Sequence, residues 1–489
     1  MTASGSRILV RPASSRIWQR RIDALVNIGL VALLIASTLN GLSFEWGVLG
    51  TELTIRPDQV VLVCLLPVLA LACLLGRLRL HFILFEWVVL GFLLSNVAAS
   101  MLFSPARNAS LKGTVLLGGY VSMYFVVRQI LANRGEWLSS ALNWMCGLGI
   151  AQAAYCLLAV GLYAFGFVIG GLQIGHLTEG SVAIKGTFWE ANLLGAYLGL
   201  IALFLTVRYV FSVTRAGSRT DLLGVFITSL ALPLTVTRAA GAAFVLGMLA
   251  IAVVVWVYRD EIGEWRTRVG KIAVTLGCTV VLTVTAMDAL VSTLSGYPNL
   301  LRERWMPISW IPIGEEATVV GVTGPPARPP GINRTVELEG AVTHASRSSV
   351  DGRIDAWVRA IEASRDRPIL GHGTLAGANL IKEGWWYSSL IQALYDTGLV
   401  GLVVMLWIHV AAIAYPLRTW LRTRQGPMSA NLLGFGIANT VLLLTSQFSN
   451  PLFVGFPWVF LGLSMGAVEA CSKGHVAGHD PTLAPVGAV

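Results

Sequence analysis

Apolar residues run through this chain in long blocks separated by short polar breaks. A stretch of about 20 apolar residues is the length needed to cross the hydrocarbon core of a bilayer. Such windows fall at 23–43, 57–76, 81–103, 110–131, 138–167, 190–213, 221–236, 239–258, 270–292, 386–415, 428–447 and 451–472, predicting twelve helices. The windows 221–236 and 239–258 lie so close together that they also read as one broken helix, which would give eleven. The pattern divides the chain into a basic N-terminal segment (1–22), nine spans (23–292), a large loop (293–385), three further spans (386–472) and a polar tail (473–489), expected to be disordered.

Composition narrows the class. Of the 489 residues, 55% are apolar and only 12% are Asp, Glu, Lys or Arg, about half the roughly 25% of a soluble domain. Mean hydropathy is +0.70. So little polar material could not cover a water-soluble surface, and disorder, collagen and a disulfide scaffold are excluded by the same figures. The expected fold is an all-α polytopic membrane protein.

The net charge of +9 would suggest nucleic acid only if it clustered on one soluble face. It does not. With a cytoplasmic N-terminus, twenty of the 35 basic residues lie on inside segments, including Arg77, Arg128, Arg134, Arg208, Arg259, Arg424 and Lys473. The short outside segments hold only Arg56, Arg107, Lys112, Lys185 and Arg238, and the other ten lie in the large loop. The excess is therefore a topology signal that places both termini in the cytoplasm and the loop outside. The first apolar stretch follows basic residues without an A-x-A-like cleavage site, so it reads as an uncleaved helix. The six cysteines lie in or beside predicted spans, and their spacing suits no zinc site.

The loop has two halves. The first, with GEEATVVGVTGPPARPPGIN, carries no helical period. In the second, Ile354, Trp357, Val358 and Ile361 recur at helical spacing, predicting an amphipathic helix with Asp351 at its start and Pro368 past its end. Such a helix suits a membrane surface or the roof of a cavity between spans.

Ionisable residues at membrane depth are costly and point to function by default. Glu86, Glu190, Arg238, Asp288, Asp396 and His409 fit that description. Arg238, in Pro233-Leu-Thr-Val-Thr-Arg-Ala-Ala-Gly, reads either as an interfacial arginine that snorkels or as an anion clamp, because a guanidinium binds phosphate oxygens bidentately and keeps its charge. Glu190 and Asn192 sit where the chain re-enters the bilayer, as a helix cap or as part of a site. His409 reads as a packing histidine, and Glu86 and Asp288 as interfacial or paired within the bundle.

Three patches together resemble the O-antigen ligase and polymerase family of bacterial envelope glycosyltransferases. The first is Gly186-Thr-Phe-Trp-Glu-Ala-Asn-Leu-Leu-Gly-Ala-Tyr-Leu. The second is Thr237-Arg-Ala-Ala-Gly. The third runs from Arg353-Ile-Asp-Ala-Trp357 through Arg367-Pro-Ile-Leu-Gly-His-Gly-Thr to Leu390-Ile-Gln-Ala-Leu-Tyr-Asp-Thr-Gly-Leu-Val-Gly-Leu. The resemblance covers roughly 185–405. It implies a membrane enzyme that takes a glycan from a polyprenyl-diphosphate carrier at the outer face of the bacterial cytoplasmic membrane and joins it to an acceptor hydroxyl, with no cofactor and no metal. The partners implied are that lipid-linked donor, a glycan or glycolipid acceptor, membrane lipid, and a chain-length regulator or other envelope assembly proteins. Nucleic acid is not among them.

In such enzymes, arginines at the positions matching Arg238 and Arg353 bind the donor diphosphate, whose charge grows as it leaves. Arg367 is a further basic candidate, with Arg359 and Arg365 nearby. The chain departs from the family where a His-Asn pair usually precedes the final stretch, since Tyr387 and Ser388 stand there. A base for the acceptor hydroxyl is then expected from His372, Glu383, Asp396 or Tyr387, in that order. Trp385, Trp386 and Tyr387 could stack on sugar rings, although an interfacial aromatic belt predicts the same residues and is slightly favoured, and Trp357 is a further substrate-binding candidate. Two alternatives stay open: a protein O-oligosaccharyltransferase, differing only in acceptor, and a secondary transporter or lipid-linked glycan flippase. Internal repeats would favour transport, and none is seen.

Overall fold

The computed structural model describes residues 13–48, 51–165, 167, 169–170, 172–174, 182–211, 218–262, 264–287, 349–377, 386, 388–424, 428–449 and 451–473. The element order is α1 (Ala13–Ser37), a hairpin of β1 (Phe44–Val48) and β2 (Thr51–Ile55), α2 (Pro57–Leu74), α3 (Leu84–Ala98), α4 (Arg107–Asn133) and α5 (Leu138–Ala164). A second hairpin, β3 (Leu172–Ile174) with β4 (Val182–Ile184), precedes α6 (Ala191–Phe211), α7 (Ser218–Ala231), α8 (Arg238–Val257) and α9 (Trp265–Leu282). After residues outside the described set come α10 (Ser349–Ser364), α11 (Ser389–Arg422), α12 (Ser429–Thr445) and α13 (Gly455–Ser472).

The expected all-α class holds apart from the two short antiparallel hairpins. Among the described residues eight helices are long and apolar enough to cross a membrane: α2 to α6, α8, α9 and α11, with α3 and α9 extended by π-helical turns and α5 by the 3₁₀ turn before it. α12 is apolar but shorter, and α7, at 14 residues, is shorter still. The stretch 221–258 is two helices rather than one. A 3₁₀ turn at Pro233–Thr235 and a left-handed Val236 (φ 55°) separate α7 from α8, because Pro233 cannot continue a helical hydrogen-bond ladder. The window 270–292 is helical from Trp265, and residues beyond Met287, Asp288 included, lie outside the described set.

α6 is the hub. It is buried along almost its whole length and packs against α7, α8 and α12. Gly462 and Gly466, one turn apart on α13, let that helix approach α4 closely: a Cβ on Gly462 would lie 2.9 Å from the Tyr124 carbonyl oxygen, and one on Gly466 2.8 Å from Leu131 Cβ. Small residues at this spacing are how membrane helices gain contact where no hydrophobic driving force separates them from lipid.

One end of the bundle carries the ion pairs. Arg77 and Arg134 both bind Asp23, Arg208 Nε lies 3.4 Å from Asp221, and Arg128 bridges Glu86 (2.9 Å) and Glu469, which Lys473 also pairs at 2.6 Å. This is the end for which the basic residues predict a cytoplasmic side. Glu86 therefore takes the paired reading, with Tyr124 donating to it at 2.8 Å.

The amphipathic helix forms as α10, but its buried side is the small-residue face of Ala356, Ala360 and Ser364, each under 5% exposed. The apolar stripe Ile354, Val358 and Ile361 points outward at 46, 47 and 42% exposure. Alanines allow close approach to α11, leaving the larger residues for an apolar exterior.

Candidate functional site

At the end opposite the ion pairs, the segment Lys185–Asn192 is held residue by residue. Gly186 turns the chain with φ 57°. Thr187 donates to the Thr38 carbonyl at 2.5 Å and accepts from Gln152, and its own carbonyl accepts from the Gly41 N–H at 2.7 Å. Phe188 is fully buried against Tyr197 and Phe456. Trp189 turns outward, its N–H on Asn40, with the Arg56 guanidinium 4.9 Å from its ring. Glu190 is thereby fixed at the mouth of α6. Burial pushes its carboxyl above the usual range, and the attraction of Arg353 partly opposes that rise. Arg353 belongs to the first turns of α10, so its charge acts on the α6 mouth from the loop helix.

Two residues later the same segment meets α8. Asn192 Oδ1 accepts from Thr237 Oγ1 at 3.3 Å, and Thr237 also donates to the Thr235 carbonyl at 3.1 Å. Gly195 makes the approach possible, since a Cβ there would lie 2.9 Å from Thr235 Oγ1 and 3.1 Å from Ala240 Cβ. Arg238 is the first residue of α8. It is half-buried, and its Nε is buried with no hydrogen-bond partner among the described residues. A half-buried guanidinium at a helix N-terminus, where the backbone dipole is also positive, is suited to an anion. Asn192 thus meets the start of α8 beside Arg238, while Glu190, two residues before it, feels the charge of Arg353.

The third patch builds a clasp. α11 breaks at Gly398 (φ 68°, ψ −159°), a conformation open essentially only to glycine. The loop 368–376 docks into the break. Leu399 N–H donates to the Pro368 carbonyl, while His372 and Gly373 donate to the carbonyls of Tyr395 and Asp396 at 2.9 and 2.8 Å. Thr374 joins a buried polar cluster with Asn96, Ser100 and Thr114. Gly371 and Gly373 have positive φ and lie where a Cβ would strike Asp396 and Ser104, at 2.6 and 2.7 Å.

This clasp places the remaining candidates. The His372 ring is 8% exposed, stacks on Tyr395 with centroids 4.8 Å apart, and shares a hydrogen bond with the Ala363 carbonyl through Nε2 at 2.9 Å. Asp396 is buried and accepts from Gln392 at 2.8 Å. Trp386 is fully buried against Tyr395, its carbonyl accepting from Trp357 Nε1 at 2.8 Å, so it presents no face to a sugar. Trp357 is half-buried, its ring 6.0 Å from Phe448. Arg367 is half-buried, with Nη1 buried and unbonded among the described residues, whereas Arg359 and Arg365 are exposed. Glu383, Trp385 and Tyr387 lie outside the described residues. His409, deep in α11, shares a hydrogen bond with the Met405 carbonyl and lines a cavity of about 50 Å³. Among the described residues no three His, Cys, Asp or Glu side chains gather around one point.

Arg56 is the residue that sequence reasoning counted only as a topology charge. It donates to Tyr120 Oη at 2.8 Å and the Phe453 carbonyl at 3.2 Å while supporting Trp189. Its aromatic partner adjoins Glu190 in sequence, but Arg56 itself lies 134 positions away, and no local spacing reveals the contact.

Residues 223–406 match the family model described as O-antigen ligase. That range begins in α7 and takes in Arg238, α10, the clasp and the break in α11. No curated protein matches the chain in a sequence comparison.

Proposed function

On the premise that the chain belongs, through residues 223–406, to the O-antigen ligase family of membrane enzymes of polysaccharide assembly, we propose that it transfers glycan from a polyprenyl-diphosphate donor to an acceptor hydroxyl at the end of the bundle bearing Arg238 and Arg353, facing the periplasm. What supports this reading is the α6 mouth, where Asn192 contacts Thr237 beside Arg238 and Glu190 feels the charge of Arg353. We assign the two guanidiniums to grip the diphosphate and stabilise the charge that develops on it as the glycosidic bond breaks. Glu190 holds Arg353 in place until the anion arrives. Arg367, whose buried Nη1 has no hydrogen-bond partner among the described residues, is assigned as a further anion contact.

The acceptor hydroxyl must lose a proton to a base within hydrogen-bond reach. His372 has Nε2 engaged with Ala363 and its ring stacked, which suits it to positioning α10 against the clasp. Asp396 is similarly enclosed. Glu383 is the group we assign to the proton, with Tyr387 as the second candidate. Trp357 and Trp385 are assigned to the sugar. Deleting the gene and resolving surface glycans by gel tests the reading. Loss of long chains identifies a polymerase and accumulation of unattached polymer a ligase, whereas an unchanged glycan profile overturns the proposal.

A further inference from the structure

A groove of about 400 Å³ runs down the flank of the bundle between α8, the last turns of α11, and α12. Its walls are apolar. Ala250 and Val254 line one side and Gly436 and Thr440 the other, and the Thr440 hydroxyl is spent on the Gly436 carbonyl at 3.0 Å. From Leu246 to Tyr258 the groove follows α8 for roughly 18 Å at 1.5 Å per residue, about the depth of one leaflet of a hydrocarbon core some 30 Å thick.

The groove is capped at its basic end. Tyr258 and Trp420, both lining it, meet edge to face at 5.2 Å. The Arg424 guanidinium sits over both rings, 4.4 Å from Tyr258 and 5.7 Å from Trp420. Its Nη1 reaches Glu261 at 3.5 Å, and its Nε is buried with no hydrogen-bond partner among the described residues. Arg259 stands close in sequence, stacked on Trp256 and 3.8 Å from Asp260.

We propose that this groove holds one anionic glycerophospholipid from the leaflet at the basic end, with an acyl chain along α8 and its phosphate on Arg424. An apolar channel of leaflet depth that ends at a cation with an unmet donor matches both halves of such a lipid. The donor's polyprenyl tail fits less well. Arg238 lies eight residues, about 12 Å, beyond Leu246 at the far end, so a diphosphate bound there would leave Arg424 without an anion. The site is independent of the glycan chemistry proposed above.

The test is native mass spectrometry of the purified full-length protein in mild detergent, titrated with palmitoyl-oleoyl phosphatidylglycerol or its phosphatidylcholine counterpart. Wild type should retain one phosphatidylglycerol at about tenfold lower concentration than phosphatidylcholine, whose phosphate reaches Arg424 with its charge already balanced by the choline. Arg424→Gln should erase that preference, and Ala250→Trp should block retention of either lipid. Should the groove variant fail to fold, the surface variant still decides. Equal retention of both lipids by wild type overturns the proposal, as does an undiminished preference in Arg424→Gln or a co-purified polyprenyl phosphate that phosphatidylglycerol does not displace.

Discussion

Arg128 and Arg238 both lie on apolar helices, yet the fold treats them in opposite ways. Arg128 is fully enclosed, with Glu86 on one side, Glu469 on another and the His81 carbonyl on a third. Arg238 is half-buried at the first turn of its helix, and its Nε has no hydrogen-bond partner among the described residues. The first is a saturated charge that joins α3, α4 and α13. The second is a charge with capacity to spare. In a protein this poor in charge, the difference separates an arginine committed to architecture from one that the proposed clamp can use.

The contrast is broken most severely at the saturated end. Arg128→Ala leaves Glu86 buried without its counter-ion, an error that costs about 3–5 kcal/mol when one partner of a buried pair is removed. The expected result is loss of folded protein, seen as a collapsed yield of monodisperse material and a lowered thermal midpoint. Arg238→Ala should do the reverse, leaving the protein level normal and lowering glycan transfer by roughly 10²–10³-fold, the usual loss when one transition-state donor is removed. Arg353→Ala should follow Arg238→Ala in both readouts. Full transfer by either variant at normal protein level would remove that arginine from the clamp.

The same logic divides the two candidate bases. Glu383→Gln should reduce transfer by about 10²-fold or more, in line with loss of a general base. His372→Gln keeps a donor for the Ala363 carbonyl and should hold transfer within a few-fold of wild type. A large loss in His372→Gln with unchanged stability would return the proton to the imidazole. Gly398→Ala probes the clasp itself. A Cβ there would lie 2.3 Å from the Ile369 carbonyl carbon on a backbone that costs other residues of order 1–3 kcal/mol. Its thermal midpoint should fall, and transfer should fall with it.

Much of this arrangement is written locally in the sequence, and some is not. Hydropathy locates the helices because each apolar run must satisfy its own backbone within the bilayer. Pro233 marks the break before Arg238 for a reason internal to its own residue. The Gly371-His-Gly and Gly398 positions are visible as motifs, but their mutual docking is not. It depends on two segments meeting about 25 residues apart, with φ angles that only the pairing explains. The outward stripe of α10 shows a different limit. Periodicity identifies Ile354, Val358 and Ile361 as one face, yet an apolar face turns inward only when the outside is water. Beside a membrane the small-residue face of Ala356 and Ala360 is the one that packs. Arg56 escaped notice because its partners, Tyr120, Trp189 and Phe453, are each distant in sequence.

The smallest expected effect lies on Glu190, whose carboxyl feels the charge of Arg353, one arginine of the proposed clamp. Burial raises its carboxyl above the ordinary 4.5, with Arg353 pulling the other way. In the window from that ordinary value up to the raised one, the folded protein binds a proton that the unfolded chain has released. Stability therefore falls as pH rises through the window, and Glu190→Gln should flatten that slope. Function moves in a matching direction. Protonating Glu190 frees Arg353 for the incoming diphosphate, so the KM for donor should fall as pH drops through the same window. The change should be only a few-fold, since a partly solvated pair is worth about 0.2–1 kcal/mol. In Glu190→Gln the KM should be low at every pH, with kcat little altered. A KM that kept its wild-type pH dependence in this variant would mean that Glu190 does not govern Arg353, and the link between α10 and the α6 mouth would have to be carried by other contacts.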